Sequence, residues 1–115
     1  MQRQAAGLKP LQDASGLWHT VLNRPDFYAE TSASALITYA RKRGMAEGWL
    51  DQSAYETTTS ATILGVWQQT LADGIVTNVS GPTSENDYNN LPRGTLRLYG
   101  QGAVLLAGSP YSTEE

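Results

Sequence analysis

The residues of this sequence that could do chemistry are few, and two carboxylates come first. Asp13 lies in a turn-forming stretch beside aromatic residues, and Glu30 precedes a run of small polar residues. A pair of carboxyl groups, one protonated and one ionised, can carry out acid–base chemistry. The simpler interpretation is that Asp13 forms a turn and that Glu30 suits the positive end of a helix dipole. We favour this structural interpretation for both residues.

The dipeptide Trp18-His19 is more suggestive of function. A tryptophan face packs on sugar rings and other flat apolar surfaces, and a histidine beside it can donate or accept protons. The alternative is a core tryptophan next to a histidine that bonds to the backbone. Because the pair follows a Ser-Gly turn, and loops often carry function, the two interpretations are evenly balanced.

Other candidate residues carry weaker signals. Arg93 and Arg97 could hold a carboxylate through paired N–H donors, but two solvated surface charges are the favoured interpretation. The Gly-Gln-Gly stretch at residues 100–102 lacks the rest of a phosphate-binding fingerprint, which excludes a nucleotide site. Cysteine is absent and His19 is the single histidine. We therefore exclude thiolate chemistry and predict no metal site.

Length and composition limit the class of protein. The 115 residues suffice for one small domain, and only 17% of them are charged, against about 25% in typical globular proteins. The net charge of −3 lacks the basic character that predicts nucleic-acid binding. No apolar run approaches the roughly 20 residues of a membrane span. No signal-peptide pattern is visible, which favours a cytoplasmic location.

The clearest predicted element is a helix over residues 32–43. Its apolar residues recur at helical spacing, namely Ala33, Leu36, Ile37 and Ala40. Thr31 or Ser32 is the expected N-cap. The basic residues 41–43 suit the negative end of the helix dipole, and Gly44 is the expected stop.

A second helix is favoured after the connector at residues 48–51, with Asp51 or Ser53 as its cap. It has a helical stripe of Ser60, Ile63, Leu64, Trp67 and Leu71. Three threonines at residues 57–59 favour instead a strand over residues 55–63, because β-branched side chains lose freedom in a helix. The stripe extends over about three turns, so we favour the helix.

The following segments are harder to interpret. Residues 75–79 are predicted as a short strand, and residues 80–95 as a long loop rich in Ser, Asn, Gly and Pro. Residues 96–108 allow two structures, either two strands joined by a Gly-Gln-Gly turn or a short helix over residues 103–107. Such a helix would be apolar on every side and would have to be buried on every side.

Three stretches in order carry a family resemblance. They are residues 12–22 (QDASGLWHTVL), 28–35 (YAETSASA) and 99–108 (YGQGAVLLAG), with 48–51 (GWLD) and 73–74 (DG) between them. Together they resemble the C-terminal part of the unsaturated rhamnogalacturonyl hydrolases of glycoside hydrolase family 105. The unsaturated glucuronyl hydrolases of family 88 are similar but less close. The resemblance covers roughly residues 8–109.

The resemblance implies a mainly α-helical fold. It would be a partial (α/α)6 toroid, with helical hairpins from its C-terminal part and a few short strands, which favours helix in both ambiguous segments. In this family the turns that lead into the inner helices face the substrate pocket. The implied substrate-binding residues are therefore Trp18, His19, Glu30, Thr31, Tyr99 and Gln101. Helix N-termini there would suit an anionic uronate.

The resemblance also implies a reaction. The family substrate ends in a 4,5-unsaturated uronic acid, and an aspartic acid protonates its enol-ether double bond. A water activated by the same residue adds across the bond, and the hydrated sugar then releases the rest of the chain. No metal or organic cofactor is needed. The catalytic aspartic acid lies before the segment matched here, so we predict no catalytic residue, and Tyr99 stands where family members often have a histidine.

We therefore predict that residues 1–115 form a single partial domain of a pectin-degrading glycosidase, with residues 109–115 as a tail. Alone, this chain would bind an unsaturated uronic-acid oligosaccharide without turnover and would self-associate through exposed apolar helix faces. The alternative function is a non-catalytic helical module that binds carbohydrate or protein. The alternative fold is a small α+β domain with a hairpin at residues 96–107.

Overall fold

The chain is mainly helical, as expected. A computed structural model describes residues 1–81, 93–94 and 97–109. The helices are α1 (Gln2–Leu8), α2 (Thr31–Ala46), α3 (Gln52–Gln68) and α4 (Leu98–Gly108), with a 3₁₀ turn at Lys9–Leu11. Short antiparallel pairs join β1 (Trp18–His19) to β2 (Ala29–Glu30) and β3 (Val79–Ser80) to β4 (Arg93–Gly94).

Helix α2 confirms the helix predicted over residues 32–43 but has different ends. Its N-cap is Glu30, whose side chain accepts from the backbone N–H of Ala33, rather than Thr31 or Ser32. It does not stop at Gly44, which is buried inside the helix. The chain leaves the helix at Gly48, where φ is +75° and the N–H groups of residues 48 and 49 close on the last turn. This arrangement is a Schellman motif, which favours glycine at the left-handed position.

Helix α3 shows that the strand alternative for residues 55–63 is wrong. Asp51 caps the helix by accepting from Ser53 N–H at 3.3 Å. Two threonine hydroxyls of this helix bond back to its own backbone: Thr58 donates to the carbonyl of Tyr55 at 3.1 Å, and Thr62 to that of Thr58 at 3.0 Å. These bonds satisfy polar groups that would otherwise compete with the helical backbone.

The C-terminal segments differ in part from the predictions. Helix α4 contains the predicted residues 103–107, so the hairpin interpretation of this segment, and with it the α+β fold, is wrong. The strand predicted at residues 75–79 is reduced to an isolated bridge at Val76 and to Val79 in β3. Residues 93–94 form β4 rather than part of the predicted loop. Most of that loop and residues 110–115 of the predicted tail lie outside the described residues.

Helices α2 and α4 run parallel. At their N-terminal ends, Ser80 donates its backbone N–H to the carboxylate of Glu30 and accepts from the hydroxyl of Tyr99. At their C-terminal ends, Nζ of Lys42 donates to the carbonyl oxygen of Ala107 at 2.8 Å. The same end of each helix therefore faces the same side of the molecule.

Helix α3 runs antiparallel to α2. Nη1 of Arg41, late in α2, lies 3.3 Å from Oγ1 of Thr58, early in α3. The segment after α3 returns to the start of α2, where Thr31 N–H donates to the carbonyl of Asn78 at 2.9 Å. Two parallel helices joined through an antiparallel one follow the inner, outer, inner order of a helical toroid.

The helices pack through small residues rather than through their predicted apolar stripes. Most residues of the buried faces are small, and Arg41, Tyr55 and Val66 are the larger ones. The small ones include Ser34, Ala35 and Thr38 in α2, Thr59, Thr62 and Gly65 in α3, and Gly100, Ala103 and Ala107 in α4. The stripes predicted on α2 and α3 are exposed or half-buried. Helix α4 is not buried on every side, because Leu105 is 75% exposed. The core cluster contains Leu17, Ala35, Val66, Ala103 and Ala107.

No helix among the described residues is long and apolar enough to cross a membrane.

Gly65 gives a direct test of this close packing. A methyl group at Gly65 would overlap the backbone carbonyl of Ser15, whereas one at Gly102 meets nothing within 4 Å. We expect Gly65→Ala to lower the free energy of unfolding by about 1–3 kcal/mol. Gly102→Ala should raise it by about 0.5–1 kcal/mol, because alanine is the better helix former. Urea unfolding followed by circular dichroism measures both, and equal effects of the two changes would contradict the packing described.

Candidate functional site

The N-terminal ends of α2 and α4 bring together most of the residues that the sequence singled out. Glu30 is the central one and is only 4% exposed. Its carboxylate accepts from Ser32 Oγ at 2.6 Å, from Ala33 N–H at 2.7 Å and from Ser80 N–H at 2.9 Å. Three donors from its own chain engage this carboxylate. Glu30 therefore caps α2 and ties it to β3.

Thr31 and Trp18 are also occupied inside the fold. Thr31 is fully buried, and its hydroxyl donates to the carbonyl of Thr77 at 2.7 Å. Trp18 is 1% exposed, its Nε1–H donates to the carbonyl of Leu8 at 2.8 Å, and the guanidinium of Arg41 covers its ring at 4.9 Å. Trp18 is therefore a core tryptophan, which was the second interpretation of the Trp18-His19 pair. Neither face of its ring is open to a sugar.

His19 lies between two oxygen acceptors. Its Nδ1 is 2.6 Å from the carbonyl oxygen of Phe27, and its Nε2 is 3.2 Å from Oδ1 of Asp13. Asp13 also accepts from the N–H of Ser15, and mainly this bond lowers the pKa of its carboxyl group. The turn predicted at residues 13–16 is present. Asp13 and Glu30 belong to separate hydrogen-bond networks, so the described contacts do not join them as an acid–base pair.

Tyr99 and Gln101 occupy the first turns of α4. Tyr99 is half-exposed, and its hydroxyl donates to the carbonyl of Ser80. Gln101 accepts from Val76 N–H at 2.7 Å and donates to the carbonyl of Gly74 at 2.9 Å. Gln101 therefore holds the turn after α3, whereas Tyr99 presents part of its ring to solvent.

The sequence only partly predicted a second group of residues at the same end, which we call the aromatic–arginine cluster: half-buried Tyr28 with the more exposed Arg93 and Tyr99. The guanidinium of Arg93 lies 4.6 Å from the ring centre of Tyr28, and its Nε donates to Oδ1 of Asn78 at 2.5 Å. Burial is the main factor that raises the pKa of Tyr28. Asn78 is held at φ +57°, a conformation that asparagine tolerates better than most residues.

The cluster has the chemistry of a site for an acidic sugar. Tyrosine rings pack on the apolar faces of sugar rings, and a guanidinium binds carboxylates through paired donors. The sequence analysis interpreted Arg93 as a solvated charge. It included Tyr28 in a family motif but did not predict it as a substrate-binding residue. The described contacts join Arg93 to Tyr28 and Asn78, and none joins it to Arg97. The described residues contain no group of three His, Cys, Asp or Glu side chains suited to a metal ion.

The order of the helices is that of a segment of a helical toroid. Residues 1–114 match the family model described as Glycosyl Hydrolase Family 88. The match extends over nearly the whole chain, so the chain belongs to this family. The family resemblance inferred from the sequence motifs is confirmed.

Similar proteins agree with this assignment. The chain is 38% identical over 109 residues to unsaturated rhamnogalacturonyl hydrolase YesR of Bacillus subtilis, which is 91% of this chain and 30% of that protein. A Klebsiella pneumoniae structure described as a possible GH105 member matches with a TM-score of 0.83 and 30% identity, over 90% of this chain and 28% of the other. A family 88 structure from Bacteroides vulgatus matches with a TM-score of 0.77 and 26% identity, over 90% and 31%. The chain therefore spans about a third of the length of these relatives.

The role of Glu30 as a buried cap predicts a loss of stability on amide substitution. In Glu30→Gln an NH₂ group replaces one carboxylate oxygen. This group cannot accept a hydrogen bond, and it faces donors that the carboxylate oxygen accepted from. We expect the free energy of unfolding to fall by about 1–3 kcal/mol. Glu47→Gln is the matched control, because Glu47 pairs with Arg43 at the surface, and should cost at most about 0.5 kcal/mol. Equal costs in urea unfolding would show that the three bonds to Glu30 contribute little.

Proposed function

We propose that this chain is part of a glycosidase that acts on 4,5-unsaturated uronyl oligosaccharides derived from rhamnogalacturonan, the backbone of one class of pectin. The observation that carries the proposal is the 38% identity to a relative named unsaturated rhamnogalacturonyl hydrolase. The chain would form one wall of the pocket. The catalytic acid would belong to another part of the protein, and the reaction would need no metal or organic cofactor.

In this proposal the aromatic–arginine cluster contacts the sugar. Arg93 is oriented by its bond to Asn78 and by the ring of Tyr28, so its terminal amino groups can donate to a carboxylate. The half-exposed ring of Tyr99 would support the apolar face of the sugar. Glu30 and Thr31 would act as positioning residues, because they tie the start of α2 to residues 77–80, the segment whose Asn78 and Ser80 contact Arg93 and Tyr99.

Calorimetric titration with the unsaturated rhamnogalacturonan disaccharide tests the proposal. We expect binding by the isolated chain without loss of the ultraviolet absorbance of the double bond. Arg93→Met should weaken binding at least fivefold, because it removes the donors for the carboxylate. Arg24→Met is the matched control, since Arg24 also covers an aromatic ring, that of Phe27, and should change affinity less than twofold. No binding, or equal effects of both changes, would contradict this role of the cluster.

A second candidate function is a non-catalytic helical module that binds carbohydrate or protein. It is supported by the internal hydrogen bonds of Glu30, Thr31 and Gln101, which make these residues structural. Saturated and unsaturated disaccharides separate the two functions. Equal affinity for both sugars would favour the module, whereas preference for the unsaturated sugar would favour the hydrolase segment.

The exposed apolar faces lead us to propose that the isolated chain self-associates. Trp67 on α3 is 71% exposed and Leu105 on α4 is 75% exposed, and large exposed apolar side chains favour association where they form a patch. We expect sedimentation velocity to show dimers or larger species at micromolar concentration. Trp67→Lys with Leu105→Lys should shift the chain toward monomer, whereas Gln68→Lys, at a neighbouring exposed position, should not. A compact monomer of the unaltered chain would overturn the proposal.

A further inference from the structure

A second possible site lies away from the aromatic–arginine cluster, in the cleft between α1 and α2. Its volume is about 480 Å³, which is within the range of small-molecule sites. Leu8 and Leu11 line it on one side, and Leu36 and Ile37 of α2 line it on the other. None of the six implied substrate-binding residues contributes to its lining. The cleft thus needs a separate explanation.

Arg41 provides the one charged side chain in this apolar lining. It is only 2% exposed, and its guanidinium lies against the rings of Trp18 at 4.9 Å and Tyr55 at 5.2 Å. Its Nη1 donates to Oγ1 of Thr58 at 3.3 Å. No carboxylate within the described ranges forms an ion pair with it. A buried charge therefore lacks a counter-ion in this part of the chain.

The other two nitrogen atoms of the Arg41 guanidinium, Nε and Nη2, can donate two parallel hydrogen bonds, and we call this pair the fork. Nε and Nη2 are out of reach of solvent and have no hydrogen-bond partner in the part of the chain that the structure describes. These N–H groups lie on the same edge of the guanidinium and match the two oxygens of a carboxylate. Because unpaired buried donors and charges are unfavourable, a bound carboxylate would remove a cost that the chain otherwise retains.

We propose that this cleft binds a carboxylate with an unbranched aliphatic body. The carboxylate oxygens accept from Nε and Nη2 of Arg41, and the aliphatic chain packs along Leu36 and Ile37. The apolar lining favours a singly charged ligand over a phosphate, whose greater charge would need more than one cationic partner. Nε and Nη2 are closed to solvent, so the carboxylate reaches them only when the groups that cover the fork move, and the two bonds that it accepts favour that movement.

Titration of the chain with octanoate and with octanol tests this proposal by calorimetry. The two probes have the same alkyl length, but only octanoate can accept both bonds from the fork. We expect one octanoate per chain, bound at least tenfold more tightly than octanol. Acetate, which has the charge without the alkyl chain, should not bind measurably.

Two variants and one control assign the effect to Arg41. Arg41→Met should remove the preference for octanoate over octanol, while Arg43→Met should keep it, because Arg43 pairs with Glu47 at the surface. If Arg41→Met does not fold, Leu36→Glu serves instead. Leu36 is half-exposed at the cleft, so a glutamate there should repel octanoate without changing the circular dichroism spectrum.

Three results would overturn the proposal. They are the absence of octanoate binding, equal affinity for octanoate and octanol, and an unchanged preference for octanoate over octanol in whichever of the two variants folds. None of them bears on the sugar titration, because that experiment depends on Arg93 and not on Arg41.

Discussion

The fold depends on the close approach of helix backbones through a buried face of small polar residues. Ser34 and Thr38 lie on this face of α2, and each hydroxyl donates to the carbonyl one turn earlier, at 2.6 Å and 2.9 Å. Ser34 also accepts the backbone N–H of Trp18 at 2.9 Å. Since buried polar groups are costly only when they lack partners, a face satisfied in this way packs as an apolar one would. Glycines such as Gly65 then allow the backbone of a neighbouring segment to come into contact.

This constraint explains where the large apolar residues lie. The small faces are used for contacts inside the chain, so leucine and tryptophan are left on the opposite sides of α3 and α4. The low share of charged residues, 17%, agrees with surfaces of this kind. In the proposed hydrolase, the neighbours that cover these surfaces would come from the part of the toroid that this chain does not match.

The helices could be predicted from the sequence because their signals are local. Asp51 is a cap beside its own helix, and the spacing from Leu36 to Ala40 is periodic whatever it contacts. The buried faces could not be predicted, because the rule that apolar stripes face the core assumes that the core lies within the chain. Gly44 was mistaken for a helix stop for a related reason. A glycine can mark either a left-handed turn or a close approach, and at Gly44 an added Cβ would lie too close to the side chain of Leu50.

In the candidate site, several motif residues have structural roles. Trp18, Glu30 and Thr31 were selected because the resemblance places them near the substrate, yet their polar groups are bound within the fold. The link from Glu30 to Ser80, and from Ser80 to Tyr99, fixes the two helix ends relative to each other. Arg93 joins this frame through the pairing of β4 with β3 and through its contacts with Asn78 and Tyr28, long-range contacts that no spacing in the sequence indicates. The buried residues therefore determine where the rings of Tyr28 and Tyr99 and the guanidinium of Arg93 lie.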